Sequence, residues 1–167
     1  MSKFLAKAGL FAAGLVALPG AAQAQVLGAD AGICRAGHSS ILVNITGFTQ
    51  RTGNIRVALY GNPSTFLDRG ATMRKVNVRV TPSGPMRVCI AVPQPGRYAV
   101  AVRHDVNGDN ARGDWNDGGG FSRNPRLSLL HLRPSFDAVA VNVGTGVLGV
   151  NVVLNYRFGL SVHPGSG

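Results

Sequence analysis

The feature that most restricts the fold is an alternation of apolar and polar residues that returns in one short run after another. Ile41, Val43 and Ile45 alternate with Leu42 and Asn44. Ile55, Val57 and Leu59 alternate with Arg56, Ala58 and Tyr60. Val76, Val78 and Val80 face away from Lys75, Asn77 and Arg79, and Val88, Ile90 and Val92 from Arg87, Cys89 and Ala91. Further runs occupy Arg97–His104, Phe136–Val143 and Val147–Tyr156, the last with Leu148, Val150, Val152, Leu154 and Tyr156 on one face. A period of two is the spacing of a strand with one buried face. Gly47, Thr52-Gly53-Asn54, Pro82-Ser83-Gly84-Pro85, Pro93-Gln94-Pro95-Gly96 and Gly144-Thr145-Gly146 supply turns between the runs. Gly61-Asn62-Pro63-Ser64 is another turn, and Ser64 is placed to cap a short helix over Thr65–Arg69 that Gly70 ends. Valine leads the apolar residues and glutamate is absent, which disfavours a helical protein. The expectation is an all-β fold: one seven-stranded, Ig-like or transthyretin-like antiparallel β-sandwich over residues 41–158, with a closed barrel as the alternative.

The ends of the chain read differently. Lys3 and Lys7 precede the apolar run Ala8–Leu18, which is too short to span a bilayer. Pro19 and Gly20 break it, and Ala22-Gln23-Ala24 is a small-x-small cleavage site. Residues 1–24 are therefore expected to be a signal peptide, with Gln25 first in a periplasmic or secreted protein. No later segment is apolar enough to be an integral membrane segment. Residues 25–40 form an irregular lead-in, and the Gly- and Pro-rich residues 159–167 a flexible tail. In an oxidising compartment Cys34 and Cys89 are most simply one disulfide. Since Cys89 lies on the less apolar face of its strand, the bonded lead-in has to cross the outside or an edge of that sheet.

The net charge of +10 is carried almost wholly by scattered arginines rather than a basic run. With export, this argues against a nucleic-acid partner and leaves attraction to anionic envelope components. A monomer is expected.

Against that charge, four of the seven acidic residues gather in one stretch, Asp105, Asp109, Asp114 and Asp117. Asp105-x-Asn107-x-Asp109 resembles the first half of an EF-hand loop, in which alternate oxygens converge on a hard cation. Asp114 or Asp117 would complete the shell. The sixth position is Asn110 rather than glycine, a residue that tolerates the left-handed conformation. No closing glutamate is present, so a bound Ca2+ would be weakly held. The competing expectation is that these residues form turns and cap backbone without metal.

Trp115 and Phe121 flank Asp117-Gly118-Gly119-Gly120, and His104 precedes Asp105. An exposed aromatic beside polar residues suits a sugar or peptide. The alternative is a ring folded back to plug the open end of the sandwich, which suits Phe121 at least as well, while Trp115 is the better candidate for exposure. Ser122, His131 and Asp137 lie downstream, but no Gly-x-Ser-x-Gly elbow accompanies them. The loop aspartates make a paper carboxylate pair on Gly-rich chain, a poor place to hold catalytic geometry. No catalytic residue is assigned.

Four stretches carry a family resemblance. They are Gly53-Asn54-Ile55-Arg56-Val57-Ala58-Leu59-Tyr60, then Pro95–Asp105 with Asn107, and Gly120-Phe121-Ser122-Arg123-Asn124, followed by Leu154-Asn155-Tyr156. Together they resemble the bacterial DUF2141 family of exported proteins over roughly Ile41–Tyr156. The resemblance implies an exported β-sandwich and supplies no activity. The Trp115-Asn116-Asp117-Gly118-Gly119-Gly120 segment departs from the family's usual Gly-Ile-Pro continuation. The reading that emerges is a non-enzymatic accessory or binding module whose partner is an envelope glycan or protein. An envelope hydrolase using His104 and the loop aspartates, and a structural protein acting through strand edges, are the alternatives.

Overall fold

The computed structural model describes residues 25–111 and 114–165. The leader expected over residues 1–24 lies outside the described residues. Among these residues eleven strands form two sheets packed face to face, with no closed barrel. Sheet one runs β1 (Val26–Leu27), β5 (Met86–Ala91), β2 (Ser40–Thr46) and β9 (Val147–Val153). Sheet two runs β11 (Ser161–Pro164), β10 (Asn155–Phe158), β7 (Gly118–Phe121), β6 (Gly96–Asp105), β3 (Asn54–Tyr60) and β4 (Arg74–Arg79). The short β8 (Val141–Val143) pairs with the start of β6.

The alternating residues meet between the sheets. Ile41, Val43, Ile45, Ile55, Val57, Leu59, Val88, Ile90, Val152 and Leu154 are all buried in one cluster. Each such aliphatic side chain contributes about 1.5–3 kcal/mol on leaving water.

The sandwich departs from the sequence expectation in four places. It has eleven strands rather than seven, and two pairings, β1 with β5 and β2 with β9, are parallel. Residues 136–143, read as one strand, begin as the helical turn α2 (Phe136–Val139) before β8. Ser135 Oγ accepts from the Ala138 N–H there, and Phe136 and Val139 drop onto the outer face of sheet two. The last long run is split. Leu154 N–H bonds to Thr46 on sheet one, and one residue later Asn155 pairs with Gly119 on sheet two, so the strand passes between sheets while keeping its buried face. The segment after Ser64 is a 3-10 turn over Pro63–Thr65, capped by the Asn62 side chain instead of a Ser64-capped helix.

The lead-in is ordered. Helix α1 (Ala31–Arg35) lies against β5, and Cys34 is disulfide-bonded to Cys89, with Cα atoms 6.0 Å apart. Both routes foreseen for a bonded lead-in are used: β1 takes the edge beside β5, and α1 the outside. Asp30, buried just before α1, pairs with Arg74 of β4 and accepts from the Ala91 N–H of β5 at 2.8 Å. One carboxylate thus ties the lead-in to both sheets, and its bonds to Arg74 hold its pKa below the usual carboxylate value. Cys34 and Cys89 stand 55 residues apart. Reduction is expected to lower stability by about 4 kcal/mol on the chain-entropy account. Urea unfolding with and without reductant checks this; coincident curves would mean that Asp30 and β1 hold the lead-in alone.

Candidate functional site

The loop after β6 is built on a buried base. His104, at the end of β6, is fully buried. Its Nε2 lies 2.8 Å from the Thr52 carbonyl and must donate there, so its Nδ1 accepts from the Tyr156 hydroxyl at 2.7 Å. Phe48 and Tyr156 meet the imidazole edge to face. Burial pushes the His104 pKa below its ordinary value and the Tyr156 pKa above its own. With both ring nitrogens engaged and no exposure, His104 fastens β6 to β10 and to the turn before β3. Glycines permit this closeness. A Cβ on Gly118 would strike the Tyr156 ring, and one on Gly53 the Asp105 carbonyl.

Asp105 is buried beside it. Its Oδ1 accepts from Gly108 N–H and its Oδ2 from Asn110 N–H, both at 3.0 Å. Asn110 adopts the left-handed conformation at φ 63°, and its side chain accepts from Arg56. Asn107 donates through Nδ2 to Asp109 at 2.9 Å and to Asp114 at 3.0 Å, while Asp109 also accepts from Ala111 N–H. Asp117 returns to the loop's start through the Val106 N–H. Burial raises the Asp117 pKa against the opposing effects of that bond and of Arg103.

Arg103 lies among these acids. Its Nη2 is 3.1 Å from Asp105 Oδ2, and its Nε is 3.6 Å from Asp117 Oδ2. Neither approach has hydrogen-bond geometry, so its guanidinium nitrogens and Asp117 Oδ2 are buried without a hydrogen-bond partner. The loop therefore folds around a guanidinium and its own N–H groups. Among the described residues, no group of three or more His, Cys, Asp or Glu side chains converges in a way that would hold a metal ion.

The two aromatics separate. Trp115 is 58% exposed, with the Arg157 guanidinium 5.2 Å from its ring centre. Phe121 is turned onto the outer face of sheet two, edge to face with Phe66. Ser122, His131 and Asp137 are bonded to different groups. Buried Ser122 accepts from Val100 N–H and donates to the Val139 carbonyl, His131 faces Ser128, and Asp137 pairs with Arg97. Sequence reading gave Arg103 and Asn124 no role in the site. The Asn124 carboxamide donates to the Asn151 carbonyl and accepts from Val153 N–H, as a neighbouring strand would along β9.

The family model described as an uncharacterized protein conserved in bacteria, DUF2141, matches residues 43–150. The chain belongs to the DUF2141 family. No curated protein and no solved structure matches it. The stretches through which the chain resembles DUF2141 acquire a physical meaning here. Gly120 has no room for a Cβ, with Val153 O only 2.6 Å from where it would lie. Ser122 and Asn124 tie β7 to its neighbours, and the His104-Asp105-x-Asn107 run fastens the loop's base. Among the described residues, no helix is long and apolar enough to cross a membrane.

Proposed function

We propose that the chain is an exported, non-enzymatic binding module of the bacterial envelope, with the loop 105–125 as its contact surface. The observation that carries this reading is the contrast between the loop's base and its tip. The base is held by buried His104 and Asp105 and by half-buried Arg103, while Trp115 stands largely in solvent. A large ring held on a rigid support suits the flat face of a sugar or a peptide. The Cys34–Cys89 bond supports an oxidising destination. A weakly held Ca2+ belongs to the same proposal: Asp109 and Asp114, which both accept from Asn107, would be its first ligands, and Asp105, Asn107 and Asp117 the others once the loop closed on the ion.

Retention of the purified protein on isolated peptidoglycan tests the contact surface. Trp115→Ala is expected to weaken retention about tenfold, as loss of a central aromatic anchor does, at an unchanged unfolding midpoint. Parent and variant retained alike, or neither retained, would overturn this assignment. Thermal unfolding in calcium and then in chelator tests the cation: a higher midpoint in calcium, lost in Asp109→Asn with Asp114→Asn, is the expected result.

A further inference from the structure

The outer face of sheet two is hollowed where small side chains meet. Across β3, β6 and β7 one row reads Arg56, Arg103, Gly119, and the next Ala58, Ala101, Phe121. Phe66 and α2 cover this face around Tyr60 and Ala99. Beyond them a trough of about 430 Å³ remains, walled on one side by Leu132 and Arg133. That volume lies in the range of small-molecule sites. Among the described residues that line it are Arg56, Arg103 and Arg133, and no Asp.

The positive charge available at the trough is that of Arg56 and Arg133. Arg56 is held by the neutral side chains of Asn77 and Asn110. Arg133 donates to the Leu67 carbonyl and stands 3.6 Å from exposed Asp68. Arg103 is ion-paired with Asp105 and Asp117, and its guanidinium nitrogens are buried, so a ligand head group would meet Arg56 and Arg133. Positive potential over an apolar floor favours a ligand with an oxyanion at one end and hydrocarbon at the other.

We propose that this trough binds a free single-chain amphipathic carboxylate, its head between Arg56 and Arg133 and its tail along Ala58, Ala101 and Phe121. The site is separate from the Trp115 surface and does not depend on it. Calorimetric titration of the purified protein with decanoate, decanol and decylammonium tests it. Decanoate is expected to bind, with decanol and decylammonium at least about tenfold weaker, as loss of charge-assisted bonds implies. Arg56→Gln with Arg133→Gln should weaken decanoate by a similar factor. Ala101→Leu, which fills the floor, should abolish binding while the unfolding midpoint stays within a few degrees of the parent. Equal binding of decanol and decanoate, insensitivity to Ala101→Leu, or no heat with decanoate to millimolar concentration would overturn the proposal. So would binding to phosphatidylglycerol vesicles without binding to free decanoate, which would mark the arginines as a membrane-surface patch.

Discussion

Replacing Arg103 with alanine is expected to cost the fold roughly 3–5 kcal/mol, the range seen when one partner of a buried charge cluster is removed. The substitution would leave Asp105 and Asp117 facing each other in a largely water-free base. Single domains hold only about 5–15 kcal/mol in all, so the variant should unfold at a much lower urea concentration. Neutralising the acids as well, with Asp105→Asn and Asp117→Asn in the Arg103→Ala background, should recover part of the loss, because the residual charge is what makes the single variant costly. A single variant as stable as the parent would mean that the guanidinium compensates neither carboxylate.

Acid should weaken the protein through His104 before it protonates the surface carboxylates. Burial holds the folded-state pKa of this imidazole below its ordinary value of 6.5. The unfolded chain therefore binds a proton in a range where the folded chain does not. Stability from this group is complete above pH 6.5 and declines as pH falls from there toward the lowered folded value. The decline is at most about 1.4 kcal/mol per pH unit, the slope for one proton. Protonation of Nδ1 would also remove the acceptor for the Tyr156 hydroxyl. Asp117 works in the opposite sense: its raised pKa makes it a source of stability at low pH that fades as pH climbs above 3.8. Urea unfolding at a series of pH values resolves the two. His104→Gln should flatten the slope just below pH 6.5, and Asp117→Asn should leave that slope and change the more acidic one. His104→Ala, which also empties a site packed by Phe48 and Tyr156, should cost about 3 kcal/mol at neutral pH. An unchanged slope in His104→Gln would move the sensitivity to another group.

The sheets were readable where one strand face is buried, because burial imposes the two-residue period seen at Ile55, Val57 and Leu59. They were unreadable where the backbone itself is the packing surface. Gly118-Gly119-Gly120 carries no side-chain pattern, yet it forms β7, since the Tyr156 ring and the Val153 carbonyl occupy the space that side chains would need. Residues 136–143 were misread because Phe136 and Val139 are apolar at helical spacing and serve the second, outer cluster. In the loop, the clustering of acids was visible, but the counter-charge was not. Arg103 looks like an outward strand residue, and only the return of the chain at Asp117 places it among carboxylates. Asp30 was equally silent, because its partners, Arg74 and Ala91, are distant in sequence.

The parallel ladder between β2 and β9 sets an order of events in folding. Asn44 and Asn151 face each other across it although 107 residues separate them. Contacts so distant along the chain form late, after nearer ones have met the entropy of closing the loop. The β2–β5 ladder and both cysteines lie within the first half of the fold-forming chain, so the covalent bond can close before the final strand arrives. Until then β2 presents an open side, the condition in which strand proteins join the wrong neighbour. The late strand therefore acts as a latch: its arrival seals the open side of β2 and carries Tyr156 to His104.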